Sequence, residues 1–161
     1  GGYTVYRADH WLVAGTGLAY GDLLGTKHGV VGYETTGRLL DFDDYQLPIT
    51  RAHANAPSGE QTVVVAFTPA SNVGMGEYPA SISALSDQGD LEFIASRLHG
   101  RIDADSLARV RHGNSVMMVV EPFGDDGGEV VVIGTTDWAF GLGDDADVQQ
   151  VTANLLDRYL S

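Results

Sequence analysis

Cysteine is absent from this chain, which excludes disulfides, thiolate zinc sites and a cysteine nucleophile together and leaves His, Tyr, Asp and Glu as the only strong metal donors. Positive charge is scarce as well: 9 Lys plus Arg stand against 22 Asp plus Glu, a net charge of −13, and Lys27 is the sole lysine. Phosphate-backbone recognition rests on clustered Lys and Arg, so neither nucleic acid nor an anionic membrane is expected as a partner. No run approaches the roughly 20 apolar residues of a membrane-spanning helix, and Gly1-Gly2-Tyr3-Thr4 lacks the basic-then-apolar layout of a secretory signal. A soluble, cytoplasmic protein is expected. Local catalytic signatures are missing too. Gly15-Thr16-Gly17 has Tyr20 where a dinucleotide fingerprint needs its third glycine, Lys27 precedes His28 rather than the Ser or Thr of a phosphate loop, and no Gly-x-Ser-x-Gly elbow occurs. His10, His28, His53, His99 and His112 show no local metal-binding spacing.

What remains is a chain of 161 residues, 43% hydrophobic, long enough for a single domain over residues 1–161 with a true core. It begins without methionine, which points to a domain excised from a longer multi-domain protein. Short strands are expected at Tyr3–Val5, His10–Ala14 and Val30–Glu34, with a glycine-rich loop between the last two and strand pieces in the Pro-interrupted stretch Arg38–Gly59. Gln61–Thr68 carries a continuous valine run, the mark of a strand inside a sheet. Ser81–Gln88, Leu91–Leu98 and Asp103–Arg111 read as helices, the second with an apolar stripe of Leu91, Ile94, Ala95 and Leu98, with Asp90 and Asp103 as N-caps and Gly100 and Gly113 as stops. Val116–Glu121 and Glu129–Thr135 form a hairpin, and Asp144 or Asp145 caps a last helix with Val148, Val151, Leu155, Leu156 and Tyr159 on its apolar face. The fold class is therefore α/β: a mixed sheet with Val63–Phe67 central, a C-terminal hairpin and a C-terminal helix. The expected core is Trp11, Val13, Val63, Val65, Phe67, Ile94, Leu98, Val116, Met118, Val131, Ile133, Val151 and Leu155.

Chemistry is expected where strands run into polar, glycine-lined turns. Gly32-Tyr33-Glu34 ends one strand, and Glu34 is a hard carboxylate suited to iron, manganese or magnesium; a solvated strand-end carboxylate is the competing reading. Gly134-Thr135-Thr136-Asp137-Trp138 ends another, with Thr136 and Asp137 as polar candidates, although capping of its own turn is the default role for Asp137. His10 beside Trp11 is a third candidate, against the reading of a half-buried, satisfied histidine.

In this order, His10-Trp11, Gly15-Thr16-Gly17-Leu18, Gly21-Asp22, Gly32-Tyr33-Glu34 and Gly134-Thr135-Thr136-Asp137-Trp138 resemble the C-terminal region of the large (beta) subunit of N,N-dimethylformamidase and its uncharacterised bacterial relatives. The motifs lie at the two ends of the chain and are absent between about Pro57 and Arg111; Thr35-Thr36 stand where relatives carry an acidic residue. The resemblance implies a domain that is glutamine-amidotransferase-like in part. It further implies hydrolysis of a small amide at an iron held by tyrosines and a glutamate, with Glu34 and Tyr33 as ligands and further tyrosine ligands upstream. The histidine near the family's glutamate has no clear match here, and Glu34 and His10 are candidates for moving the proton because both stand at expected strand ends. The expected partners are the rest of the parent polypeptide or another subunit, and a small-molecule substrate. A non-catalytic accessory or assembly domain of a larger enzyme is the alternative.

Overall fold

The computed structural model describes residues 1–32, 34–52, 56–78, 89–124 and 127–161. Strands and helices are both present, an α/β architecture, and the chain forms two compact units: Gly1–Thr68 with Asn114–Ser161, and Pro69–Gly113. The strands are β1 (Tyr3–Val5), β2 (Leu23–Leu24), β3 (Leu40–Phe42), β4 (Pro48–Thr50), β5 (Gln61–Ser71), β6 (His112–Glu121) and β7 (Val130–Val132). The helices are α1 (Asp90–His99), α2 (Ala104–Val110) and α3 (Ala146–Leu160). Among the described residues no helix is long and apolar enough to cross a membrane.

A sheet of order β2-β1-β5-β6-β7 puts the valine-rich β5 in the middle, while β3 and β4 form a separate hairpin. The ladders β1–β2, β1–β5, β6–β7 and β3–β4 are antiparallel. β-Branched side chains suit a pleated, two-sided surface, and Val64, Val65 and Ala66 are all fully buried. On one side of the sheet Val65 and Met117 join Tyr3, Val5, Leu24, Val148 and Val151 in the main core. On the other, Val64, Val116 and Met118 form a smaller cluster with Leu40 from β3.

Helix α3 forms where it does because the Asp145 carboxylate accepts from the Asp147 and Val148 amides (3.1 and 3.3 Å), satisfying donors the first turn leaves free. Val148 and Val151 then point inward and are fully buried, contributing roughly 1.5–3 kcal/mol each. Leu156 and Tyr159, assigned to the same face from sequence, stay about half exposed (48% each).

In the second unit α1 and α2 pack through Leu91, Ala95 and Val110. Asp103 caps α2 in a reciprocal box with Ser106, as the sequence indicates. Three expectations fail here. Gly89, in the left-handed region, precedes α1, so Asp90 is its first residue rather than its cap. Gly113 lies inside β6 instead of ending a helix. Leu98 is 69% exposed, because the short α2 meets the first turns of the stripe only. Glu77 accepts from the Gly74 amide and both Arg111 nitrogens (2.7, 2.5 and 2.8 Å), and Arg111, then Gly74, hold its carboxyl down to about 2. The helix expected at Ser81–Gln88 lies outside the described residues.

Candidate functional site

Two of the strand readings that framed the site are corrected. Residues 11–13 are a 3₁₀ helix, Trp11–Val13, not a strand. Leu12 and Val13 are both buried in the main core. The turn is closed by i→i+3 bonds from Val13 to His10 and from Ala14 to Trp11 (3.1 and 3.2 Å). Val30 and Val31 likewise sit in no ladder: their amides bond to Gly25 and Gly1 carbonyls (3.1 and 3.0 Å) while both side chains are buried. Strand pairing of the predicted Glu129–Thr135 segment covers only Val130–Val132, with an isolated bridge from Thr35 to Thr135 beyond it.

That bridge brings two of the sequence candidates together. The Thr136 amide donates to the Glu34 carbonyl (3.2 Å) and the Thr36 amide to the Gly134 carbonyl (2.9 Å). Glu34 and Thr136 are exposed and Asp137 is half-buried. The Thr135 hydroxyl accepts from the Asp137 amide (3.1 Å), and the Thr136 hydroxyl donates to Asp137 Oδ1 (3.3 Å). Asp137 opens a 3₁₀ helix, Asp137–Gly141, and its carboxylate presses on Gly32: a β-carbon there would overlap Oδ2 and lie 2.9 Å from Cγ. Only a residue without a side chain allows this approach. Tyr33, the other candidate ligand, lies outside the described residues.

His10 belongs to a different cluster. Its Nδ1 accepts from the Leu12 amide (3.2 Å), which makes it the N-cap of the 3₁₀ helix and requires Nδ1 to be unprotonated. Its ring lies 5.4 Å from that of Trp11, and the Arg158 guanidinium sits 4.5 Å over the Trp11 ring. Glu129 takes both Arg158 nitrogens (2.6 and 3.0 Å) and the Tyr159 hydroxyl (2.9 Å). Burial pushes the His10 pKa down, Arg158 and Arg7 add to this, and Glu129 and Asp9 oppose it. Arg158 foremost holds the Glu129 carboxyl below its usual value. Trp11 and Trp138 pack partly buried against the core, the latter donating from Nε1 to the Thr152 hydroxyl (3.0 Å).

Among the described residues no three His, Asp or Glu side chains converge as metal ligands. Glu34 and Asp137 come from two neighbouring segments joined by the Thr35–Thr135 bridge, and His10 Nδ1 accepts from the Leu12 amide. Two features escaped the sequence reading. One is the Glu129–Arg158–Trp11 stack, whose members are distant in sequence and carry no spacing signal. The other is a buried hydroxyl pair, Tyr3 Oη 2.7 Å from Ser115 Oγ, serving the Ile133 and Gly134 carbonyls (2.5 and 2.7 Å). No family model, curated protein or solved structure matches this chain.

Proposed function

We propose that this chain is an accessory or assembly domain of a larger cytoplasmic enzyme that hydrolyses a small non-peptide amide, as the resemblance to the N,N-dimethylformamidase large subunit implies. One observation carries the reading: His10 and Asp137 are both built into local turns. His10 Nδ1 caps the Trp11–Val13 turn, and Asp137 is seated against Gly32 with its amide on Thr135. A general base needs a free lone pair aimed at substrate. His10 spends the Nδ1 lone pair on Leu12.

A second reading is supported by the adjacency of Glu34 and Asp137: in the assembled enzyme this junction contributes a carboxylate to an amide-hydrolysing centre. Iron content and N,N-dimethylformamide hydrolysis, measured on the chain alone and on the polypeptide to which it is naturally joined, separate the two. The accessory reading expects neither iron nor turnover in the isolated chain, and kcat within about twofold for Glu34→Gln in the parent, an effect well under the tenfold that 1.4 kcal/mol of barrier represents. Stoichiometric iron in the isolated chain, or loss of turnover in Glu34→Gln, overturns it in favour of the second.

A further inference from the structure

Four aromatic rings, Tyr6, Tyr20, Phe42 and Phe67, gather into one group. Tyr6 stacks on Phe67, ring centroids 4.8 Å apart at 13°. Tyr20 meets Tyr6 edge-on at 5.5 Å, and Phe42 lies 6.1 Å from both Tyr6 and Phe67. Residues from the start of the chain, the β3–β4 hairpin and the central strand thus build one group of rings. It is not closed over: Tyr20 is 57% and Phe42 49% exposed, with Leu23 on the neighbouring edge strand also exposed. Mutual stacking fixes the rings while leaving their outer faces in water, and a contiguous exposed apolar patch of this kind marks an interaction surface.

The charge around it identifies the partner. Seven of the nine cations, Lys27, Arg38, Arg51, Arg101, Arg109, Arg111 and Arg158, are already paired with carboxylates. Next to Phe42 in sequence, Asp41 is paired with Arg51. Asp22 and Asp43 accept only backbone amides, and neither they nor the exposed Asp44 is ion-paired among the described residues. Asp22, Asp43 and Asp44 thus leave carboxylate charge without an ion-pair partner within two residues of Tyr20 and Phe42. A second copy of the chain would bring another −13 to the contact and be repelled. A guanidinium fits both features, being weakly hydrated, permanently charged and able to lie flat on an aromatic face. The molecule uses that contact twice internally, Arg158 over Trp11 at 4.5 Å and Arg97 over Phe93 at 5.3 Å.

We propose that Tyr6, Tyr20, Phe42 and Phe67 form a docking platform for an arginine-rich, apolar segment of a partner polypeptide. This rests on the accessory reading, which requires a partner. It is tested by titrating the whole chain with a short synthetic peptide alternating arginine and leucine, and with its lysine counterpart, following side-chain NMR signals and affinity. The expected result is saturable binding of the arginine peptide, tighter than the lysine one, with shifts centred on the four rings. Tyr20→Ser and Phe42→Ser, both at exposed positions and checked for native circular dichroism, are expected to weaken it on the order of three- to tenfold at unchanged net charge. Equal binding of both peptides, no binding, or affinity unchanged in a folded Tyr20→Ser variant overturns the proposal. So does sedimentation showing a dimer that Tyr20→Ser dissolves, which would assign the platform to self-association. Peptide binding reads the platform alone and iron content with turnover reads the accessory role alone, so either can fail without the other.

Discussion

The carboxylate of Asp137 occupies the space that a side chain at Gly32 would fill. A methyl group at residue 32 must displace Asp137 and, with it, the start of the Asp137–Gly141 turn. Gly32→Ala is expected to cost about 1–3 kcal/mol, the range for overpacking a tight contact. Because the two residues share the space, the cost should shrink in an Asp137→Gly background. Additive losses across that cycle, read by urea unfolding, would show that the contact is not the cause.

Tyr3 is fully buried with its hydroxyl between Ser115 and the Ile133 carbonyl. Tyr3→Phe removes one hydroxyl and strands an acceptor, an expected loss of about 1–2 kcal/mol and a Tm lower by about 2–8 °C. Burial raises the Tyr3 phenol to about 12, with the Ser115 bond opposing. A raised folded pKa means the stabilisation is complete below the unfolded value, near 10, and is lost as pH rises through about 12. Phenolate absorbance of Tyr3 appearing near pH 10 in the folded chain would contradict this.

His10 works in the opposite sense. Its folded pKa is depressed, so its contribution is present above the unfolded value, about 6.5, and declines as pH falls below it, where the unfolded chain binds the extra proton. Protonation also removes the Nδ1 acceptor from Leu12. His10→Asn retains capping ability and cannot titrate. Its melting temperature is expected to fall less than that of the wild type between pH 7 and pH 5, the window set by that downward shift. Parallel pH profiles for the two proteins would sink the assignment.

Gly134 stands at φ 83° with the Val116 carbonyl packed where a β-carbon would go, 2.9 Å from its carbonyl carbon. Backbone cannot rotate away as a side chain can, so Gly134→Ala combines left-handed strain with a clash and is expected to cost more than about 2 kcal/mol. It should also release the Thr36 amide from the Gly134 carbonyl, visible as faster hydrogen exchange at Thr36. Unchanged exchange there would refute the coupling.

Much of the fold is written in local pattern. The valine run of β5, the Asp145 cap with Val148 and Val151 behind it, and the Asp103 box at α2 each carry their own signal, since propensity, periodicity and capping act over a few residues. The site was legible only in part. Glu34, Thr136 and Asp137 can be picked out as polar groups in glycine-lined turns, and the Thr35–Thr135 bridge does bring their segments together.

The sequence by itself determined the acidic surface, the absence of thiol chemistry, the central strand and the C-terminal helix with its cap, because these depend on residue type and short-range spacing. Tertiary structure alone decided that His10 caps a 3₁₀ turn, that Asp137 rests on Gly32, that Arg158 stacks on Trp11 and that four rings from Tyr6 to Phe67 share one surface. An alternating apolar stretch such as His10–Ala14 is compatible with more than one backbone, and the core that buries Leu12 and Val13 side by side selects among them. That selection is made by partners more than a hundred residues away, such as Asn154, whose side chain donates to the Leu12 and Ala14 carbonyls (3.0 and 2.8 Å), a pairing that no local window contains.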